Sequence, residues 1–221
     1  MQAQTWVEHA FLHWRFEPAR LRRLLPDSVE LETYDGAAWL GVTPFLLTGL
    51  RLRGLPPLPG ISTFPEVSAR TYVTRDGKPG LWYFALDAGS TLAVEAAKRV
   101  YRLPYARSQI RYVREGNRVH LESARAGAAF SADYGAVGEP FVAQPGSLEA
   151  FLTERYCIYT EDGGRVYRAE LHHRPWQLQR GEAIVDVNTF TPMPLPSTPA
   201  HVLFAERQDA VVWPLRELTS R

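Results

Sequence analysis

The chain has 221 residues, 45% hydrophobic and 22% charged, with a formal net charge of +1. That length supports one sizeable core, and the near-neutral balance excludes the strong field that nucleic acid or an anionic membrane surface would call for. Cys157 is the only cysteine, so no intrachain disulfide can form and a reducing, cytoplasmic setting is expected.

Residues 5–16 form an expected strand rich in aromatics, with His9, Phe11, His13 and Arg15 on one face and Trp6, Leu12, Trp14 and Phe16 on the other. A short amphipathic helix over 17–25 follows, with Pro18 near its start and Pro26 as its stop. Residues 29–33 make a short strand and 38–52 a long one, where Pro44 marks an edge or a bulge. The uncharged apolar run 36–50 contains Pro44 and is short for a membrane-spanning helix, and the N-terminus lacks the pattern of a signal peptide.

A strand over 64–74 pairs with one over 80–87 across Asp76-Gly77-Lys78-Pro79-Gly80. Residues 91–102 give the clearest helix, with Thr91 as its cap and Glu95 placed to pair with Lys98 or Arg99. Further hairpins are expected for 106–114 with 118–125, continued by 127–134, and for 156–160 with 165–172. A Gly/Pro loop at 135–146 leads to a short helix capped by Ser147. Strands at 183–189, 202–204 and 209–213 complete the chain. Hairpins imply antiparallel pairing. The expectation is an α+β, predominantly antiparallel single domain over 1–221, a β-barrel or wrapped sheet with two or three peripheral helices.

Chemistry-bearing patterns are sparse. No Gly-x-Ser-x-Gly elbow or phosphate loop occurs. His9 and His13 share a face, but no third metal ligand stands at a familiar spacing, so no metal or cofactor is expected. Cys157 lies in an apolar run and reads as a buried, inert thiol. Arginine supplies 23 of the 25 basic residues, Lys78 and Lys98 being the lysines, which restricts amine chemistry. The most informative stretch is 51–73. There a proline-rich loop at 55–59 runs into a strand carrying Glu66, Ser68, Arg70 and Tyr72 on one face. That face is either a solvated ion pair or the interior of a barrel, where an acid and a base grip a polar ligand.

Several blocks resemble the YqjF-like family of uncharacterised bacterial proteins. Among them are Phe-Leu-His-Trp-Arg at 11–15, Tyr-Asp-Gly-Ala-Ala-Trp-Leu-Gly-Val at 34–42 and Arg-Gly-Leu-Pro-Pro-Leu-Pro-Gly at 53–60. Phe-Pro-Glu at 64–66, Arg-Thr-Tyr-Val at 70–73, Thr-Glu-Arg-Tyr-Cys-Ile-Tyr at 153–159 and His-His-Arg-Pro-Trp at 172–176 complete the main set. The pattern departs at position 68, where Ser stands in place of an expected Asn.

That family is similar to acetoacetate-decarboxylase-like proteins. The resemblance implies an acetoacetate-decarboxylase-like β-barrel or cone around a cavity, entered by a glutamate matching Glu66. In acetoacetate decarboxylases a lysine pair follows a proline, and one of the two forms a Schiff base with a β-keto acid. The matching proline is Pro104, and Tyr105 and Ala106 follow it. Schiff-base decarboxylation is therefore not expected.

The resulting expectation is a cavity protein that binds a small anionic or carbonyl-bearing molecule through Glu66, Ser68, Arg70, Tyr105 and Arg107. Trp82 or Phe84 would form apolar wall, and Glu66 and Tyr105 are the candidates for any acid–base chemistry. The alternative is a structural or interaction protein with a side-chain-filled barrel, meeting partners through the loops at 55–59 and 135–146. No nucleic-acid or membrane partner is expected, and homo-oligomerisation is left open.

Overall fold

A computed structural model describes residues 1–58 and 60–218; Pro59, at the end of the proline-rich loop, lies outside the described residues. The elements in chain order are β1 (Gln2–Phe16), α1 (Pro18–Arg22), β2 (Glu30–Leu31), β3 (Ala38–Leu52), β4 (Phe64–Arg75) and β5 (Lys78–Ala88). They continue with α2 (Thr91–Tyr101), β6 (Tyr105–Arg107), β7 (Gln109–Glu115), β8 (Arg118–Arg125), β9 (Ala128–Ala136) and α3 (Leu148–Thr153). The last are β10 (Cys157–Asp162), β11 (Arg165–His173), β12 (Gln179–Asn188), β13 (His201–Val212) and β14 (Arg216–Leu218).

Seven strands close on themselves. The order is β11-β10-β5-β4-β3-β1-β13, and residues 210–212 of β13 pair back onto β11. The result is a ring of strands and not a clean barrel, because β12, β9, β8 and β7 continue from β13 as a further sheet. That sheet packs Val119, Leu121, Phe130 and Tyr134 against Ala10, Leu12, Val42, Val67 and Ala69, on the outer side of β1, β3 and β4. A second core, with Trp6, Phe11, Phe45, Phe64, Leu86 and Trp176, lies within the ring. Strand β4 therefore has two buried faces, which is why its residues 66–73 are buried without a break, whereas β11, outside that cover, alternates buried and more exposed residues.

Most pairings are antiparallel, but β5 pairs in parallel with both β10 and β6. Hairpin reading cannot anticipate those contacts, since they join strands separated by helices. Closure between β5 and β10 depends on a glycine: a Cβ on Gly80 would lie 2.7 Å from Cys157 Sγ and 2.9 Å from the Cys157 carbonyl oxygen.

Two irregularities decide which side chains enter the ring. In β1, Glu8 has a φ of +52°, and the register with β3 shifts between Val7 and Leu12. Such a bulge inserts one residue and reverses the alternation. Trp6 and His9, expected on opposite faces, both point inward. Pro44 of β3 falls inside the interval that makes no regular pairs with β1, where its missing N–H costs no ladder bond. The other shift lies between Ala69 and Arg70 in the β4–β5 register, where Phe84 is the extra residue. It turns Tyr83 and Leu81 toward the interior and Trp82 and Phe84 away from it.

Local signals were otherwise close, with specific exceptions. Helix α1 ends at Arg22, short of Leu25. Ser90, not Thr91, caps α2, its side chain accepting from the Ala93 N–H at 3.3 Å, while Ser147 caps α3 as expected. The expected strand over 106–114 is broken into β6 and β7. The two expected C-terminal strands are one, β13, whose exposed Glu206, Arg207 and Asp209 interrupt the apolar pattern without interrupting the backbone pairing. Among the described residues, no helix is long and apolar enough to cross a membrane.

Candidate functional site

The ring interior keeps a cavity of about 60 Å³, lined by residues that include Glu66, Arg70, Tyr83, Tyr105 and His9. At about 10–15 Å³ per water-sized group, it admits roughly four to six such groups. Strand β4 supplies Glu66 and Arg70 by its two-residue period. The Tyr83 ring arrives through the bulge in β5, and Tyr105 through the parallel pairing of β6, which sets Tyr105 opposite Leu86. Strand β1 brings His9.

Glu66 is 4% exposed. Its carboxyl oxygens are 3.3 and 3.4 Å from the Tyr105 hydroxyl, long for hydrogen bonds. Burial raises its pKa to about 8, only partly opposed by the Tyr105 contact. Near neutral pH the group is therefore mostly a carboxylic acid, able to donate as well as accept. Tyr105 itself is pushed far above the usual phenol range by burial, and next by the Glu66 charge.

Arg70 is 6% exposed, and its Nε has no hydrogen-bond partner among the described residues. Among those residues no carboxylate lies within 4.0 Å of it. Its guanidinium sits 5.5 Å from the Phe11 ring centroid, and its charge opposes the burial-driven rise in the Tyr72 and Tyr83 pKa values. The solvated Glu66–Arg70 ion pair, one of the two readings of this face, is thus absent, and both residues line the same small cavity. Arg155, the cavity's other guanidinium, is already paired with Glu32 at 2.6 Å.

His9 is held parallel between Phe11 and Phe45, with ring centroids 4.4 and 4.6 Å away. Burial first, and then the Arg70 charge, keep its pKa well below the ordinary value. Trp6 and Trp176 stack at 5.6 Å to complete this aromatic wall.

The remaining expected residues lie elsewhere. Ser68 is buried one step from the cavity, bonded at 2.6 Å to Thr43, which does line it. Trp82 packs outside the ring with Leu25, Val29 and Tyr159, because of the β5 bulge. Arg107, at the end of the three-residue β6, is exposed. Lys98 pairs with Glu95 at 3.5 Å on exposed α2, and Lys78 with Glu170 at 2.5 Å; no lysine lines the cavity among the described residues. Cys157 is buried, with its thiol raised by burial. No group of three His, Cys, Asp or Glu side chains is placed to hold a metal among the described residues. Sequence reading did not place His9, Tyr83 or Arg155 in the cavity. The only hint for His9 was a lone acid, Glu8, inside an aromatic strand.

The DUF2071 family model, described as an uncharacterized conserved protein, matches residues 3–209. The uncharacterized protein YqjF of Bacillus subtilis is 42% identical over 220 residues, covering 97% of this chain and 91% of its own length. Among solved structures, acetoacetate decarboxylase from Legionella pneumophila superposes with a TM-score of 0.70 at 9% identity, covering 99% of this chain and 88% of its own. An acetoacetate decarboxylase-like enzyme from Sphingomonas wittichii gives 0.68 at 14%, covering 100% and 94%. The enduracididine biosynthesis enzyme MppR, solved in complex with pyruvate, gives 0.63 at 15%, covering 99% and 91%. At such identities these likenesses show the fold.

Proposed function

The chain belongs to the DUF2071 family of uncharacterized conserved proteins, and we propose that it binds a small carbonyl-bearing carboxylate inside the ring of strands. The observation that carries this reading is Arg70, a buried cation facing a cavity without a carboxylate within 4.0 Å among the described residues. A buried cation that meets phenols but no acidic partner among the described residues is costly to hold, and a carboxylate is the ligand group that a guanidinium grips in two-point fashion. Protonated Glu66 spares the cavity a negative charge that would repel the ligand's carboxylate. The cavity suits a molecule of about four to six non-hydrogen atoms. Pyruvate has that size and chemistry, and a neighbour of the same fold was solved with it.

Tyr105 stands beside Glu66, and among the described residues no lysine lines the cavity. The reading therefore excludes Schiff-base decarboxylation, which needs a desolvated amine. A purely structural role is disfavoured by the space left open among the aromatics. The test is thermal denaturation with a panel of small acids. Pyruvate at a hundredfold its Kd should stabilise the protein by about 2.7 kcal/mol, neutral ketones of equal size should not, and Arg70→Met should remove the effect. Equal stabilisation by neutral ketones would overturn the proposal.

A further inference from the structure

His9 is the feature that binding through Arg70 leaves unexplained. It is 3% exposed, it lines the cavity, and neither of its ring nitrogens has a partner among the described residues. Buried polar groups are ordinarily bonded, so an orphaned ring in the wall of a cavity points to a group that is not part of the chain. Phe11 and Phe45 clamp both faces of the ring and prevent it from turning toward other partners. As a neutral imidazole it offers one N–H, and such a ring polarises a carbonyl oxygen better than it removes a proton. Glu66 is the complementary group, a carboxylate tuned by burial toward the strength of a general base near neutral pH.

We propose that the cavity catalyses proton exchange at the carbon next to the carbonyl of a small 2-oxo acid, with Glu66 as the base, His9 as the donor to the carbonyl oxygen and Arg70 as the clamp on the carboxylate. The proposal rests on the ligand-binding reading above. In the forward step the ionised Glu66 carboxylate takes a proton from the carbon, and the C–H bond breaks. Its electron pair forms the carbon–carbon double bond, and the negative charge moves onto the former carbonyl oxygen, where the His9 N–H stabilises it. In the reverse step Glu66 returns a proton to the carbon and the starting acid is restored. Nothing is oxidised, no co-reactant is needed, and the chemistry uses no lysine. Solvent exchange at the Glu66 carboxyl makes the cycle visible in D2O.

The rate follows ionisation of Glu66. Lining the same cavity are His9 from β1, Arg70 from β4, Tyr83 from β5, Tyr101 from α2, Tyr105 from β6 and His173 from β11, together with Arg155, already paired with Glu32; of these, Tyr105 is in contact with the Glu66 carboxyl. The phenols are raised, chiefly by burial, and both histidines are lowered for the same reason. Glu66 is thus the cavity group whose charge changes as pH rises through about 8.

The experiment follows the methyl protons of pyruvate by proton NMR in D2O with the intact protein, beside thermal denaturation with and without pyruvate. The expected result is exchange above the buffer rate that rises about tenfold per pH unit and levels off above the Glu66 transition. Glu66→Gln should lower it by about 10²-fold or more while pyruvate still stabilises the variant, and His9→Phe, which keeps the stacking, should lower it by about 10²-fold. Stabilisation by pyruvate without exchange, or exchange that survives Glu66→Gln, overturns the proposal. Absence of stabilisation overturns the binding reading with it.

Discussion

Replacing Glu66 by glutamine should change how stability depends on pH between about 4.5 and 8. Burial raises the Glu66 pKa from 4.5 to about 8. Between those values the folded protein holds a proton that the unfolded chain has released. Stability therefore falls as pH rises, by about 1.36 kcal/mol per pH unit, and stops falling above about 8. Over the whole interval the loss approaches about 5 kcal/mol, an upper value because water entering the cavity would lessen it. Glutamine keeps the shape and the donor but cannot ionise. Relative to wild type, Glu66→Gln should be of similar stability near pH 4.5 and gain up to about 5 kcal/mol by pH 8.5, or about 10–20 °C in Tm for a chain of this size. Buried His9 and His13, both lowered chiefly by desolvation, contribute stability that is present above the ordinary histidine pKa and lost as pH falls below it. Both proteins share that loss, so it cancels in the difference. Urea denaturation followed by tryptophan fluorescence at pH 5, 6.5, 8 and 9 measures the effect. Parallel stability curves for the two proteins would refute a buried, protonated Glu66.

Other perturbations probe separate parts of the structure. Gly80→Ala would drive a methyl group into Cys157 at the parallel β5–β10 junction and should cost about 1–3 kcal/mol in denaturant unfolding; an unchanged midpoint would contradict the close approach that seals the ring. Arg70→Met removes a buried cation that has no acidic partner among the described residues, so it should raise ligand-free stability by about 1–4 kcal/mol while abolishing the response to pyruvate. A destabilised Arg70→Met protein would show that the guanidinium is compensated from within the chain. Ser90→Ala deletes the cap of α2 and should cost about 1 kcal/mol, read from the thermal midpoint; no change would place the cap's contribution in solvent.

Period-two alternation located Glu66 and Arg70 on the inner face of β4, because β4 itself carries no extra residue between them. The same rule failed on β5 and β1 for one physical reason. Bulges at Phe84 and Glu8 reverse the alternation, exchanging Trp82 for Tyr83 and bringing Trp6 and His9 to the same side. A bulge is set by how neighbouring strands register, and a single strand's sequence shows little of it. The parallel partners of β5 were illegible for a related reason, since α2 and the long 135–146 loop intervene before β6 and β10 return to it. Hairpins with Asp-Gly or Gly-Asn turns and the Ser147 cap were legible because their determinants are local. Arg107 shows the limit of face-sharing arguments: it lies two residues from Tyr105, yet at the end of a three-residue strand its side chain is exposed.

The proposed receptor for a small carboxylate rests on Arg70, a buried cation with no acidic partner among the described residues, and on a protonated Glu66. A crystal structure of the protein grown with pyruvate near pH 6.5 tests it most directly. Density is expected inside the ring, with carboxylate oxygens at about 2.7–2.9 Å from the Arg70 guanidinium and the carbonyl oxygen on the His9 side. Pyruvate bound only at the outer surface, or a cavity closed by rearranged aromatics with Arg70 turned to an acidic partner, would contradict it.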